Sequence, residues 1–196
     1  MNVVLAAIAG YLLGSIPFGV VAARQAGRDI LHEGSGNPGA TNALRVMGPY
    51  WALAVLVGDA GKGILAAYVG WKLGGPVGSA LAGAAAAVGH AYSLFLRGQG
   101  GKVVAVSLGV LLFWGWPLLV GALIVFLIVL GLTRIVSLAS MLAALAAAVL
   151  AAAGLPPLSP ALRYGVFFLV LLLIWRHRPN ITRLLRHEEK RLGSHG

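Results

Sequence analysis

Long apolar segments make up most of this chain, and they limit what it can fold into. The segments occupy residues 2–23, 51–72, 77–96, 103–116, 117–132, 135–153 and 161–177. Most approach the ~20 residues that a helix needs to cross a bilayer. Only 10% of the residues are charged, against about a quarter in soluble domains. We therefore predict an all-α fold, a polytopic membrane bundle of about seven transmembrane helices. A soluble helical protein would show shorter, amphipathic segments.

Two questions decide how many transmembrane helices we predict: whether residues 103–132 form one helix or two, and whether the first apolar run is retained. Residues 103–132 could form one long helix, but Gly115, Trp116 and Pro117 favour a turn between two short ones. The first apolar run has no Lys or Arg before Arg24. A signal peptide carries its positive charge ahead of the apolar core, so we expect this run to be a retained helix.

The distribution of positive charge gives the orientation. With seven helices and the N-terminus outside, the inner loops and the C-terminal segment hold 12 of the 15 Lys and Arg residues. Cytoplasmic loops carry such an excess, so we predict the N-terminus outside and the C-terminus in the cytoplasm. The same bias explains the net charge of +10 without a nucleic-acid partner. The chain contains no cysteine, which excludes disulfides and thiolate chemistry.

Two glycine-rich loops lie on the predicted inner side. Residues 34–42 read GSGNPGATN and are followed by Arg45, and residues 97–102 read RGQGGK. Glycines let backbone N–H groups converge on an oxyanion, and a nearby cation neutralises its charge. We therefore favour anion binding over plain flexible turns. Neither loop is a nucleotide-binding P-loop, because Val103 follows Lys102 where Ser or Thr is needed.

Several polar residues fall within the apolar segments. Asp59 and Lys62 are three residues apart and so share a helical face. A structural ion pair and a role in the site are equally compatible with that spacing. For His90, hydrogen-bonded packing is favoured over direct catalysis. Ser137 and Ser140 also share a face, and such serines often bond backbone carbonyls.

The basic segment that follows the last apolar run combines a titratable histidine with arginines. Pro179 suits the first turn of a new helix, so we predict a short interfacial helix at about 180–191. Its arginines would anchor the chain to anionic lipids. His177, at this junction, also suits acid–base or phosphate chemistry.

Taken together, these strings resemble the bacterial acyl-phosphate:glycerol-3-phosphate acyltransferases. The matching strings are Gly14 to Gly19 (GSIPFG), Gly34 to Asn42 with Arg45, Gly89-His90 to Lys102, Ser137 to Ser140 (SLAS) and His177-Arg178-x-Asn180-Ile181. The resemblance covers nearly the whole chain, which implies a single membrane-embedded domain. It implies acyl transfer from acyl phosphate to the 1-hydroxyl of glycerol 3-phosphate, giving lysophosphatidic acid and phosphate. It also implies a bacterial inner-membrane enzyme with its site facing the cytoplasm and with no cofactor or metal.

The resemblance also implies roles for individual residues. As catalytic residues it implies Ser35, Arg45, Lys102, Ser140, His177 and Asn180. As substrate- or phosphate-binding residues it implies Gly34, Gly36, Asn37, Gly39, Thr41, Asn42, Gly100 and Gly101. Asp59, Lys62, His90 and Ser137 are supporting candidates.

This sequence departs from the family pattern at three positions. Val103 and His187 stand where the family commonly has glycine, and Pro179 where an acidic residue is common. Glu189 corresponds to a late structural glutamate of the family. None of the five histidines has an Asp five residues on, so a mechanism without a dedicated His–Asp base is implied. The substrate phosphate could then accept the proton.

Two other classes of function remain open at this point. A small transporter of anionic metabolites would account for Asp59, Lys62 and His90 inside the membrane. It predicts polar groups on both sides, whereas the outer loops 73–76, 116–117 and 154–162 carry few functional groups. A structural lipid-scaffold protein would leave the glycine-rich loops unexplained.

Overall fold

A computed structural model describes residues 2–193, and within that range all regular structure is helical, without strands. The helices are α1 (Asn2–Ser15), α2 (Phe18–Gln25), α3 (Ala40–Met47), α4 (Pro49–Ala91), α5 (Val104–Trp114), α6 (Trp116–Thr133), α7 (Val136–Ala152), α8 (Pro160–Arg176) and α9 (Arg178–Leu185), with a short 3-10 turn at Leu94–Leu96. The all-α prediction is therefore confirmed for the described residues.

Three helical stretches are both long and apolar enough to cross a membrane. They are Asn2–Gln25, Pro49–Leu96 and Trp116–Thr133, and a fourth exists if α8 and α9, which are bent by 56°, count as one span. Helices α5 and α7 are apolar but shorter than the ~20 residues of a full span. The count of seven and the orientation that depends on it therefore stay predictions.

Helix α4 is a hairpin of two limbs. Gly74 and Gly75 leave helical geometry, and Gly75 has a φ of 58°, which costs glycine little. Across the turn, a Cβ on Gly70 would lie 2.4 Å from the carbonyl oxygen of Gly78. Ser79 Oγ donates to the carbonyl oxygen of Ala67 at 2.9 Å. The limbs, 49–73 and 76–91, correspond to the apolar runs 51–72 and 77–96.

The ambiguous stretch 103–132 forms two helices, as predicted. Helix α5 ends at Trp114, and α6 begins at Trp116 with Pro117 in its first turn. The indole of Trp114 is buried and donates from Nε1 to Ser79 Oγ at 2.9 Å. This bond joins the end of α5 to the second limb of α4.

The first apolar run is interrupted at Pro17, a break that the sequence analysis did not anticipate. Pro17 has no N–H, so the break leaves carbonyl groups without helical partners. Ser93 Oγ donates to the carbonyl oxygen of Ser15 at 2.6 Å, and Lys62 Nζ donates to that of Ile16 at 2.7 Å. Unsatisfied backbone groups cost several kcal/mol in lipid, so these side chains stabilise the broken span.

Small residues bring α1 against the second limb of α4. A Cβ added to Gly14 would lie 2.0 Å from the carbonyl oxygen of Ala86, and one added to Gly10 would lie 2.2 Å from that of Ala82. Such close backbone approach lets helices associate in lipid, where they lack a hydrophobic driving force.

The chain after α8 bends and then folds back toward the bundle. Pro179 lies in the first turn of α9, as predicted, but the helix ends at Leu185 instead of continuing to residue 191. The backbone N–H of Leu192 donates to the carbonyl oxygen of Arg134 at 2.6 Å. The C-terminal segment therefore crosses the turn between α6 and α7.

Candidate active site

One cavity of about 960 Å³ brings most of the predicted site residues together. Its lining comes from the loop before α3, from Lys102 in the loop before α5, from the start of α7 and from the junction of α8 and α9. The predicted residues that line it are Gly34, Ser35, Asn37, Gly39, Thr41, Asn42, Arg45, Asp59, His90, Lys102, Ser137, Ser140, His177 and Asn180. Predicted residues as far apart in sequence as Gly34 and Asn180 thus share one space.

The amide of Asn42 shapes the first glycine-rich loop. Its Oδ1 accepts from the backbone N–H of Ser35 at 2.8 Å, and its Nδ2 donates to the carbonyl oxygens of Glu33 at 3.0 Å and Ile30 at 3.2 Å. Both polar ends of this buried side chain are thus engaged by the protein. Asn42 holds the loop in shape through these bonds, and direct contact of its side chain with phosphate stays a prediction.

The same loop presents the beginning of α3 to the cavity. Asn37 Oδ1 accepts from the backbone N–H of Gly39 at 2.9 Å, and this turn leads into the helix at Ala40. The first amides of a helix point out of its N-terminus and attract anions. Ser35 is exposed and lines the cavity beside them.

Two cations in the cavity lack a carboxylate partner. Among residues 2–193, no Asp or Glu forms an ion pair with Arg45 or Lys102. Burial lowers the pKa of Lys102 to about 8, with nearby arginines acting in the same direction and Glu189 opposing them. Cations without counter-ions beside a helix N-terminus form a site suited to a phosphorylated ligand.

His177 presents an acceptor nitrogen. Its side chain is 1% exposed, and Nδ1 lies 2.8 Å from the carbonyl oxygen of Leu173. A carbonyl can only accept, so Nδ1 carries the hydrogen and Nε2 keeps a lone pair. Burial lowers the pKa of His177 to about 4, so the ring is neutral at pH 7.

Asn180 also presents an acceptor. Its Nδ2 donates to Glu189 Oε1 at 2.5 Å, and because a carboxylate only accepts, the amide orientation is fixed. Asn180 Oδ1 is buried and has no hydrogen-bond partner among residues 2–193. An oxyanion requires donors, so this oxygen suits a substrate hydroxyl instead of an oxyanion.

Glu189 joins helices α7 and α9 at the mouth of the cavity. It accepts from Ser137 Oγ on α7 at 2.7 Å, from Asn180 on α9, and from Arg183 Nε at 2.7 Å. Although burial raises the pKa of Glu189, these hydrogen bonds outweigh it and hold the pKa below its usual value. Glu189 thus fixes the position of Asn180.

The hydroxyl protons of both predicted serines on α7 are already used. Ser137 donates to Glu189, and Ser140 donates to the carbonyl oxygen of Val136 in its own helix at 2.8 Å. Both serines line the cavity, where their hydroxyl oxygens can still accept. In this structure neither serine therefore donates to a developing oxyanion. A catalytic Ser140 acting as such a donor would need its hydroxyl proton free.

Four predicted residues lie outside the cavity lining: Gly36, Lys62, Gly100 and Gly101. The Gly101 N–H donates to the carbonyl oxygen of His90 at 2.9 Å, and a Cβ there would lie 2.1 Å from His90 Nε2. The Gly36 N–H donates to the carbonyl oxygen of Glu33. These glycines permit close packing, and the N–H groups of Gly36 and Gly101 already donate to backbone carbonyl oxygens.

The charges within the membrane segments neutralise one another. Lys62 Nζ lies 2.7 Å from Asp59 Oδ1, and His90 Nδ1 lies 3.5 Å from the same oxygen. Lys62 also bonds the broken first span. This arrangement removes the main observation that favoured a transporter.

Both departures from family glycines occur where the backbone is left-handed. Val103 has a φ of 70° and His187 a φ of 58°. Glycine adopts this conformation without steric cost, whereas a β-branched residue does so rarely. Glycine, which the resemblance implies at these positions, would adopt this backbone without strain, and Val103 and His187 adopt it nonetheless.

The sequence analysis missed several residues of the cavity. Arg183 and Ser107 line it, and Ser107 Oγ is buried without a hydrogen-bond partner. Helices α4 to α8 also contribute an apolar chamber that no motif marks. Its side chains include Leu53, Leu56, Leu108, Leu111, Ala122, Leu123, Phe126, Leu130, Ala143, Ala144, Ala147, Val166, Leu169, Val170 and Leu173.

Within the described part of the chain, no three His, Asp or Glu side chains cluster closely enough to hold a metal ion. The groups that the cavity offers for chemistry are its cations, its backbone amides and its neutral acceptors.

The helical fold and a cavity that joins a cationic mouth to an apolar chamber fit the class of membrane proteins that bind amphiphilic phosphates. Comparison with known proteins narrows this class. The family model described as glycerol-3-phosphate acyltransferase matches residues 4–187, and the chain belongs to this family of acyltransferases.

Curated relatives support this assignment along the whole chain. A glycerol-3-phosphate acyltransferase of Desulforudis audaxviator is 47% identical over 97% of this chain and 96% of its own length. One of Carboxydothermus hydrogenoformans is 39% identical over 98% and 97%. Two crystal structures of PlsY (YgiH), an integral membrane glycerol 3-phosphate acyltransferase, are 36% identical and cover 98% of this chain and 96% of theirs. Their TM-scores are 0.91 for the glycerol 3-phosphate form and 0.90 for the lysophosphatidic acid form.

Proposed function

We propose that this protein transfers a fatty acyl group from acyl phosphate to the 1-hydroxyl of glycerol 3-phosphate, giving lysophosphatidic acid and inorganic phosphate. The observation that carries the proposal is the pair of unpartnered cations, Arg45 and Lys102, at the mouth of an apolar chamber. The related PlsY structures in glycerol 3-phosphate and lysophosphatidic acid forms support the acceptor and the product.

The cavity divides naturally between the two ends of such substrates. Phosphate groups would occupy the mouth: as the resemblance implies, that of glycerol 3-phosphate beside Lys102, and that of acyl phosphate between Arg45 and the N-terminus of α3. The acyl chain would extend into the apolar chamber. From Ser137 to Ala147 on α7, both of which line the cavity, the helical rise gives a depth of about 15 Å.

The reaction needs positioning more than strong acid–base chemistry, since an acyl phosphate is already activated. The 1-hydroxyl oxygen attacks the carbonyl carbon, a new C–O bond forms, and the bond from that carbon to the phosphate oxygen breaks. Two anions must approach each other, so the cations of the mouth offset their repulsion. No cofactor takes part in this scheme.

The proton of the attacking hydroxyl goes to the departing phosphate. His177 Nε2 accepts a hydrogen bond from that hydroxyl and orients it. With a pKa of about 4, His177 is a weaker base than phosphate, whose second pKa is about 6. Asn180 Oδ1, the unpartnered acceptor, orients a second hydroxyl of the acceptor.

The location of the site follows from its substrates and from the charge distribution. Glycerol 3-phosphate is a soluble metabolite, whereas acyl phosphate carries a lipid tail. We therefore place the mouth at the cytoplasmic boundary of the bacterial inner membrane. Helix α9 would lie along this boundary, where its exposed Arg178 and the exposed Arg186 just after it would contact anionic lipids.

Purified protein in detergent tests the proposal. We expect phosphate release from acyl phosphate that depends on glycerol 3-phosphate and matches lysophosphatidic acid formation one to one. Lys102→Ala and His177→Ala should lower turnover at least a hundredfold, whereas Lys72→Ala, near the turn at Gly74, should not. Activity with acyl-CoA alone, or release independent of the acceptor, would refute the proposal.

A further inference from the structure

Arg176 links the two segments that supply Lys102 and His177. Its Nε donates to the carbonyl oxygen of Gly101 at 3.0 Å, and its Nη2 donates to that of Gly100 at 2.9 Å. Those carbonyls belong to the two residues immediately before Lys102, and His177 immediately follows Arg176. One planar guanidinium therefore joins the loop before α5 to the end of α8.

The guanidinium itself rests on an aromatic support. Its Cζ lies 5.0 Å from the centroid of the Tyr92 ring, within the range of a cation–π contact. The Tyr92 hydroxyl accepts from Trp175 Nε1 at 3.1 Å, and the Tyr92 carbonyl accepts from the hydroxyl of Tyr11 at 3.0 Å. These contacts restrict where the Arg176 side chain can lie.

The loop is held from its opposite side as well. The Gly101 N–H donates to the carbonyl oxygen of His90 at 2.9 Å. A Cβ on Gly100 would lie 2.2 Å from that oxygen. Because His90 holds the N–H of Gly101 and Arg176 holds both carbonyls, the loop has little freedom before Lys102.

From this geometry we propose that Arg176 is a positioning residue, which sets the Lys102 ammonium against the His177 imidazole across the phosphate site. The proposal rests on the function proposed above. Because Arg176 donates to the backbone carbonyls of the two residues before Lys102, it affects the substrate by fixing the position of Lys102. The bidentate geometry requires the fork of a guanidinium, which a lysine ammonium cannot reproduce.

Kinetics of Arg176→Lys and Arg176→Gln test the positioning role. We expect KM for glycerol 3-phosphate to rise about tenfold in both variants. KM for acyl phosphate should change less than threefold. A merely structural defect lowers the fraction of active enzyme, so it would reduce kcat and leave both KM values unchanged. Arg186→Gln, which removes an exposed charge from the chain just after α9, is the matched control and should leave both KM values unchanged.

The pH dependence of kcat/KM distinguishes the effect of Arg176 on the position of Lys102 from the effect of its charge on the pKa of Lys102. The groups that act on the charge of Lys102 are Glu189, Arg183, Arg45 and Arg176, and His177 lies nearby. Arg176→Gln removes one neighbouring cation, so the fall of kcat/KM at high pH should begin at a higher pH. Arg176→Lys keeps the charge and should leave the pH dependence in place while KM rises.

A failure of the positioning role of Arg176 can be told apart from a failure of the proposed function. If the unchanged protein shows no acyl transfer, the function is wrong. If the unchanged protein is active and both variants keep its KM for glycerol 3-phosphate, or lose only kcat, the positioning role of Arg176 is refuted.

Discussion

Two titratable side chains of the cavity, Lys102 and His177, are shifted in the direction that favours their neutral forms. Burial is the largest cause for both, lowering the pKa of Lys102 to about 8 and that of His177 to about 4. At pH 7 the lysine is therefore still charged while the histidine is neutral. The site thus offers one cation for phosphate and one acceptor for a hydroxyl.

The pKa of Lys102 predicts how the reaction responds to alkaline pH. Below pH 8 the ammonium is charged and attracts phosphate, and above pH 8 it loses the proton and the attraction. We expect kcat/KM for glycerol 3-phosphate to fall above about pH 8, by up to about tenfold per pH unit. Steady-state kinetics between pH 6 and 10 measure this fall.

Lys102→Arg is the control for this prediction. A guanidinium stays charged throughout the range, so the variant should show a flat profile above pH 8, even if its absolute activity is lower. A fall of equal size in the variant would assign the alkaline limb to another group.

Residue types were predictable from the sequence more readily than residue roles. The string 34–42 indicates an anion site, and the cavity includes most of it. The sequence does not show which polar atoms the protein itself uses. Asn42 and Asn180 look equivalent in a motif, yet the first is engaged at both ends and the second keeps a buried oxygen without a partner.

At the scale of elements, α2 supports the loop before α3. Gly19 on α2 faces the backbone of Pro38, and a Cβ on Gly19 would lie 1.7 Å from the Pro38 carbonyl oxygen. No side chain fits in that space without moving backbone. The contact explains the glycine at the end of the string GSIPFG, whose proline marks the break in the first span.

Gly19→Ala should therefore displace the loop 34–42. Overpacking of this kind typically costs 1–3 kcal/mol, and we expect kcat/KM to fall about tenfold or more. Gly61→Ala on α4 is the matched control, because a Cβ there meets nothing within 4 Å. Activity assays and thermal unfolding of both variants in the same detergent check this prediction. An active Gly19→Ala enzyme would show that the loop tolerates the shift.

The helices and the turn at Gly115 were largely predictable from the sequence, whereas the break at Pro17 was not. The turn at Gly115 follows from local residues, since Pro117 fits the first turn of α6. The break at Pro17 depends on Lys62 and Ser93, which bond the exposed carbonyls. Partners so distant in sequence leave no local pattern.

At the scale of the whole molecule, the apolar chamber should limit the length of the acyl chain. On α7, Ala147 is the lining residue farthest from the mouth and is fully buried. Ala147→Phe would fill that end of the chamber. We expect kcat/KM for long acyl phosphates to fall about tenfold while shorter donors are affected little.

Val149→Phe controls for a bulky residue on the same helix, because Val149 is 67% exposed on the outside of the bundle. It should leave the chain-length profile unchanged. Competition between donors of different length in one assay measures the preference. Equal losses for short and long donors in Ala147→Phe would indicate general damage to the fold.

The arrangement of the whole molecule was predictable in part. Apolar runs located the helices because lipid selects long apolar segments. The chamber could not be predicted, since its lining comes from five helices whose facing sides no motif records. The number of crossings and the orientation remain predictions, and they carry the central claim that separate loops meet at one membrane boundary.

Labelling of single cysteines tests that claim most directly, because the natural chain has none. Ser35→Cys and Gln99→Cys place an exposed thiol in each glycine-rich loop, and Ala153→Cys places one at the end of α7. With a membrane-impermeant maleimide on intact cells, Ala153→Cys should react at once, while the other two should react only after permeabilisation. Labelling of Ser35→Cys and Gln99→Cys from opposite sides of the membrane would contradict the account.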